Sequence, residues 1–234
     1  MELLLTLLLA HFLGDFVLQP SKWVKDKEAK SIKSKYFWFH IAIHFILMVL
    51  LTGFELKLTP IVIFITISHI IIDFFKIKLQ EKFSSIILFF IDQVLHLLMI
   101  SLAIGLDQEI DWMNLYPNQQ KIIFIALAFV LLTNVTGVIM KVFLSKWKLN
   151  DFEGESLENA GLYIGILERL FIFGFVFLDY WEGIGFLIAA KSIFRFSDLT
   201  RAKDRKLTEY VLIGTLLSYG IAMLIALASV QIWY

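Results

Sequence analysis

The sequence predicts an all-α fold, a polytopic integral membrane bundle of about eight transmembrane helices with the seventh short or broken. Three observations carry this prediction. Hydrophobic residues make up 59% of the 234 positions, against roughly 45–50% in a soluble domain, and mean hydropathy is +0.79. The apolar residues fall into runs close to the roughly 20 residues that a bilayer core of about 30 Å requires. The connections between runs alternate between rich and poor in Lys and Arg, which is the asymmetry that orients a multi-span chain.

In chain order the runs cover residues 2–19, 36–54, 59–79, 84–105, 119–144, 160–180, 183–196 and 208–232. The first has Glu2 as its only early charge and no small-residue cleavage pattern, so it is expected to be a retained helix and not a signal peptide. The seventh is short and charged, and is expected to be tilted, broken or re-entrant, a form tolerated only under cover of protein or a cavity. Basic residues gather in 20–35 (Lys22, Lys25, Lys27, Lys30, Lys33, Lys35), 76–83 (Lys76, Lys78, Lys82), 141–159 (Lys141, Lys146, Lys148) and 197–207 (Arg201, Lys203, Arg205, Lys206). Eight helices fit this alternation and seven do not. It places both termini outside and the basic loops in the cytoplasm. An acidic, aromatic segment at 107–118, with Trp112 and Tyr116, is expected to be an outer-face loop. It separates a His/Asp half, 1–106, from a half with Glu, Arg and Lys, 119–234.

The chain has no cysteine, which excludes a disulfide framework and a thiolate metal site. Its net charge of zero implies no nucleic acid or other bulk polyanion as partner.

The chemistry lies in the histidines. All five, His11, His40, His44, His69 and His96, fall inside predicted spans, and each has a His or Asp four residues away. The pairs are His11 with Asp15, His40 with His44, His69 with Asp73, and Asp92 with His96. Residues at i and i+4 share a helix face, so each of the first four spans presents two ligand-type side chains on one side. An Asp in a membrane helix costs about 2.5–3.5 kcal/mol on insertion scales and normally faces the bundle interior with a partner. Imidazole and carboxylate together suit a divalent ion, zinc first, with manganese or iron as alternatives. Inward ligands from several helices are how bundle metal sites are built. Eight such groups exceed one tetrahedral site. Either two metals bind, or some carboxylates, Asp15 and Asp92 among them, act as catalytic base and in support. Gln19 and Gln93 flank this group and are expected to orient ligands, with Gln19 equally readable as a helix-end residue before Pro20. Thr66 and Ser68 are expected to bond backbone. The bland alternative for the whole set is helix-to-helix locking, and a proton relay uses the same residue types.

The second half carries no histidine. Glu168 and Arg169 lie in the sixth span, and Lys191 and Arg195 share a face of the seventh. They either pair internally and snorkel or clamp an anionic headgroup. Gly161, Gly165, Gly214 and Gly220 are expected to permit close helix packing.

HFLGDFVLQ, FHIAIH, SHIIID and IDQVLH, with the later GLYIGILER, KSIFRFSDL and EYVLIGTLLSY, resemble the bacterial family of polytopic membrane proteins catalogued as domain of unknown function 3307. The resemblance implies a multi-pass protein of the bacterial inner membrane and supplies no activity. The chain lacks the repeated histidine boxes of membrane di-iron oxygenases and is only loosely similar to membrane-embedded metal-dependent hydrolases. The leading expectation is therefore a divalent-metal hydrolase acting on a lipid-linked or amphipathic substrate. The alternatives are a divalent-metal or proton transporter and a structural membrane protein with His/Asp locks.

Overall fold

The computed structural model describes residues 2–105, 117–147, 160–193 and 202–233. Trp112, Tyr116 and Arg195 lie outside the described residues. Among the described residues there is no strand, and each apolar run is helical over most of its length. The helices are α1 (Glu2–Phe12) with a π-helical extension (Leu13–Val17), α2 (Ser21–Lys30), α3 (Lys35–Leu51), α4 (Thr59–Leu79), α5 (Ser85–Gly105) and α6 (Pro117–Val130). A second π-helical turn (Leu131–Val135) leads into α7 (Thr136–Leu144), followed by α8 (Ala160–Phe177), α9 (Trp181–Ile193) and α10 (Ala202–Trp233). Five stretches are long and apolar enough to cross a membrane: Leu56–Leu79, Ser85–Gly105, Lys121–Leu144, Ala160–Phe177 and Leu207–Trp233. A sixth is added if Leu3–Val17 and Ser21–Lys33, bent by 85°, count as one broken span. The run at 183–196, expected to be short, is the 13-residue α9. The chain divides into two compact units, Met1–Val130 and Leu131–Tyr234.

In the first unit every ligand-type side chain lies on the inward stripe of its helix. On α4, Ile61, Ile65, His69, Asp73 and Ile77 follow one another at four-residue steps and are buried, while Ile63, Ile67, Ile71 and Phe75 form an exposed row on another face. Such an outward apolar row is a liability in water and a lipid-facing surface in a bilayer. The same division puts Phe37, His40, Ile41, His44 and Met48 of α3, and Leu88, Asp92, His96 and Ile100 of α5, inside. The histidine layer is flanked by unequal cores. One side is closed by Leu3, Leu7, Met48, Ile61, Ile65, Ile100 and Ala103. The other has only Phe37, Ile41 and Ile77, with Ile70 against them.

Between α1 and α2 the chain turns at Pro20, which lacks an N–H and so cannot continue the helical ladder. The following α2 is polar, with Lys22, Lys25, Lys27 and Lys30, and lies nearly perpendicular to α1. Ser34 caps α3 by accepting from Tyr36 N at 3.1 Å. Its hydroxyl also donates to Asp26 at 2.6 Å, and Lys30 donates to the same carboxylate at 2.5 Å. These two donors hold the half-buried Asp26 carboxyl below its ordinary range, Lys30 first. Trp23 of α2 stacks on Tyr36, with centroids 5.2 Å apart, the kind of aromatic pair found at headgroup level.

The second unit is organised by Arg169 of α8. A π-helical turn shifts backbone carbonyls out of the i→i−4 ladder, and Arg169, 3% exposed, donates to the carbonyls of Leu132 and, at 3.3 Å, Thr133 of that turn. Its third contact is Ser218 Oγ of α10 at 3.1 Å. Around it pack Leu132, Ile172, Val176, Ile184, Tyr219, Ala222 and Ala226. The glycines expected to bring helices together do so only in part. A side chain at Gly214 would meet Leu144, whereas Gly161 and Gly220 face open space. The small residues buried against α8 are Ala222 and Ala226, both 0% exposed. Replacing Arg169 with Met is expected to destabilise the protein by about 1–3 kcal/mol per orphaned carbonyl. Thermal unfolding in detergent measures this, and Arg169→Lys recovers only part because an ammonium lacks the planar fork.

Candidate metal centre

Asp15 sits in the π-helical turn that extends α1, where the wider helix alters the direction of successive side chains. Gly14 precedes it. A Cβ at that position would run into the His44 imidazole, so the absence of a side chain is what lets His44 reach Asp15. From the facing helices, His40 and His44 come one turn apart on α3, His69 comes from α4, and His96 comes from α5. All five histidines are 4% exposed or less, Asp73 is 5% and Asp92 2%. The sequence-predicted pairs therefore do form one cluster, on four helices. The side-chain contacts within the His11–Asp15 and Asp92–His96 pairs are loose, at 3.7 Å for His11 to Asp15 and for His96 Nδ1 to Asp92 Oδ1, although His96 Nδ1 bonds the Asp92 backbone carbonyl at 2.8 Å. The close side-chain contacts run between helices.

Two imidazole nitrogens meet one carboxylate oxygen, and a third meets one of those two nitrogens. Asp15 Oδ1 lies 3.0 Å from His44 Nε2 and 3.2 Å from His40 Nε2, and His69 Nε2 lies 3.1 Å from His40 Nε2. The four ligand atoms of Asp15, His40, His44 and His69 all fall within 4.8 Å of one another. Tetrahedral ligands at 2.0–2.1 Å from an ion stand about 3.3 Å apart, so the three short separations are those of a tetrahedral edge. Hydrogen bonding alone serves this arrangement poorly. A neutral imidazole carries one proton. If His40 donates from Nε2, its one proton faces two acceptors, and its buried Nδ1 has no partner. Two further groups have ligand atoms at similar spacing: His11, Asp15 and His96, and His69, Asp73 and His96.

Asp73 and Asp92 are answered by lysines. Lys27 Nζ of α2 lies 2.8 Å from Asp73 Oδ2, with both side chains under a tenth exposed, and Lys76 Nζ lies 2.7 Å from Asp92 Oδ2. These two bridges lock α2 to α4 and α4 to α5. Asp15 has no such partner among the described residues. Gln93 Nε2 donates to Asp15 Oδ2 at 2.8 Å and to Asp92 Oδ2 at 3.1 Å, the orienting role expected of it. Thr66 and Ser68 donate to the backbone carbonyls of Val62 and Ile65, also as expected. Lys27 and Lys76 are absent from the sequence-derived site. Lys76 had a readable signal, lying one turn from Asp73 on the same helix. Lys27 had none, since it is one of six lysines in a connection.

A cleft of about 50 Å³ reaches the cluster between α2 and α4, lined by Asp15, Gln19, Lys27, His40, Asp73 and Lys76 among others. That is room for several waters or a small oxyanion. On the opposite side of the histidines, the void between Leu7, Met48, Ile65 and Ile100 is about 10 Å³, at the lower limit for one water.

The residues singled out in the second half belong to the other unit. Lys191 Nζ lies 2.7 Å from Glu168 Oε2 and 5.7 Å from the Tyr219 ring centroid, so these two pair internally. Arg169 bonds the π-helical carbonyls described above.

The fit at Gly14 gives a direct test of this geometry. Gly14→Ala is expected to push His44 off Asp15 and to destabilise by about 1–3 kcal/mol, as overpacking does. Thermal unfolding together with bound-metal content of the detergent-purified variant reports both effects.

A family model described as "Protein of unknown function (DUF3307)" matches residues 3–123. No curated protein and no solved structure matches the chain. The matched stretch contains all five histidines with Asp15, Asp73 and Asp92, while GLYIGILER, KSIFRFSDL and EYVLIGTLLSY lie beyond it. The chain belongs to the DUF3307 family of proteins of unknown function.

Proposed function

We propose that the first unit is a metal-dependent hydrolase acting on an anionic, lipid-linked or amphipathic substrate at the membrane surface. The observation that carries the reading is the grouping of Asp15, His40, His44 and His69, whose ligand atoms lie within 4.8 Å of one another, with His40 and His44 Nε2 at tetrahedral-edge separations from Asp15 Oδ1 and His69 Nε2 at one from His40 Nε2, at the inner end of a cleft. Zinc suits three imidazoles and a carboxylate best, and manganese or iron accept the same donors. A divalent ion there supplies Lewis acidity and a lowered pKa of bound water. The chain's own residues do the rest. Lys27 and Lys76 line the entrance and attract an anionic headgroup, while Asp73 and Asp92 hold the two ammonium groups in place. Asp15 and His40 face the cleft and orient the reacting end. Asp92 Oδ1 is buried and has no hydrogen-bond partner among the described residues, which leaves that oxygen free to accept a proton as a base.

The apolar seal distinguishes this reading from transport. A transporter needs a path from its site to both faces, and Leu3, Leu7, Met48, Ile61, Ile65 and Ile100 close one side of the histidine layer. Access from the α2 side puts the entrance among the basic segments, the cytoplasmic side of an inner membrane by the charge rule.

The test uses full-length protein in nanodiscs with a panel of lipid phosphate esters and carboxylic esters. Turnover is expected with at least one class. It should be abolished by chelation, restored by Zn²⁺ or Mn²⁺, and reduced at least about 100-fold in Asp15→Asn, the order seen when a key polar group is lost. Uptake of Zn²⁺ or Mn²⁺ into proteoliposomes without any turnover would replace this reading with transport.

A further inference from the structure

The three ligand groups cannot all be filled at once, because they share residues, and the way they share them selects one pair. The first group uses Asp15, His40, His44 and His69. The group of His69, Asp73 and His96 competes with it for His69, whose Nε2 is turned to His40, and its carboxylate is already held by Lys27 at 2.8 Å. The group of His11, Asp15 and His96 competes for Asp15 alone, and a carboxylate has two oxygens. Asp15 Oδ1 faces His40 and His44. Asp15 Oδ2 faces the other way, 3.7 Å from His11 Nε2 and 2.8 Å from Gln93 Nε2.

His96 supplies an independent observation. Its Nδ1 lies 2.8 Å from the backbone carbonyl of Asp92. A carbonyl only accepts, so Nδ1 carries the ring proton and Nε2 of the neutral ring bears a lone pair. That Nε2 is buried without any hydrogen-bond partner, and the ring stands 5.0 Å from His11 and 4.2 Å from His69. A histidine that donates one nitrogen to a backbone carbonyl and presents the other as a bare lone pair is oriented as metal-ligating histidines are.

We propose that the histidine layer is a two-metal centre in which Asp15 bridges one ion held by His40, His44 and His69 and a second held by His11 and His96. The inference rests on the metal reading above and deepens it. It places all five histidines, leaves Asp73 and Asp92 to their lysines, and adds the positive charge that the Asp15 carboxylate lacks. The second position is the weaker one. Gln93 engages both Asp15 Oδ2 and, through Oε1 at 3.3 Å, His11 Nε2, and an ion must displace or recruit that amide. Its oxygen is a suitable additional ligand for a hard ion such as Mn²⁺. Two ions about 3.5–4 Å apart are the arrangement that stabilises both attacking and leaving oxygens in phosphoryl displacement, so the substrate class favoured among the anionic lipids is the phosphate ester.

Titration of chelator-stripped, full-length protein with Mn²⁺, followed by electron paramagnetic resonance, tests this without reference to activity. Wild type is expected to bind two equivalents, the second at least about 10-fold more weakly, and to show the spectrum of an exchange-coupled pair. His96→Ala is expected to bind one equivalent with the hyperfine pattern of an isolated ion, and Gln93→Glu to tighten the second equivalent. A wild-type protein that saturates at one isolated ion overturns the bridge and leaves the single-metal reading standing, as does a folded His96→Ala that keeps both equivalents. No binding in wild type overturns both readings. If His96→Ala fails to fold, the wild-type spectrum and Gln93→Glu decide the matter.

Discussion

Asp15 carries a carboxylate into an apolar bundle with no lysine or arginine among the described residues within ion-pair distance, and the surrounding structure is arranged to meet that charge. The other two carboxylates of the cluster each have an ammonium group at 2.7–2.8 Å. Asp15 has imidazoles and an amide. A buried charge left without compensation is costly enough that folded proteins pair it, coordinate it or neutralise it. The π-helical turn at Leu13–Val17 aims the carboxylate inward, Gly14 clears the path for His44, and the four-residue spacing of His40 and His44 delivers two nitrogens to one oxygen. A divalent ion would complete that set of contacts more fully than any distribution of imidazole protons.

The two sides of the histidine layer are built from different materials, and function follows from that asymmetry. On one side Leu, Ile and Met side chains from four helices exclude water. On the other, a break at Pro20 swings the chain through 85° and lays a lysine-rich helix across the end of the bundle. That helix contributes Lys27 to the interior and leaves a cleft beside it. In the proposed function, ligand chemistry at the bottom of a short, cation-lined entrance suits a substrate that remains anchored in lipid while its anionic head enters. Low dielectric around the site strengthens each electrostatic contact made there.

The all-α class and the helical runs were legible because their signals are strong and local: apolar length, and basic connections in alternation. The His/Asp cluster was legible for the same reason, since four i,i+4 pairs on successive spans are buried together. What could not be read was which groups face one another across helices. Asp73 and Asp92 look like ligands equivalent to Asp15 in the sequence, yet their nearest partners are Lys27 and Lys76, lysines that as sequence belong to charged connections. The two π-helical turns leave no local signature, so neither the inward aim of Asp15 nor the carbonyls offered to Arg169 could be foreseen. Glycine content suggested close packing in the second half, and alanines supply much of it, because a helix interface is set by which small residue falls on the buried stripe.

The most direct measurement is the metal content, by elemental mass spectrometry, of detergent-purified protein prepared without chelator, compared with a His40→Ala/His44→Ala variant of matching helicity. The account predicts at least one tightly held divalent ion per chain in the wild type and its loss from the variant. A wild-type protein that carries no metal, or a variant that retains it, would contradict the assignment of Asp15 and its three facing histidines as a metal centre.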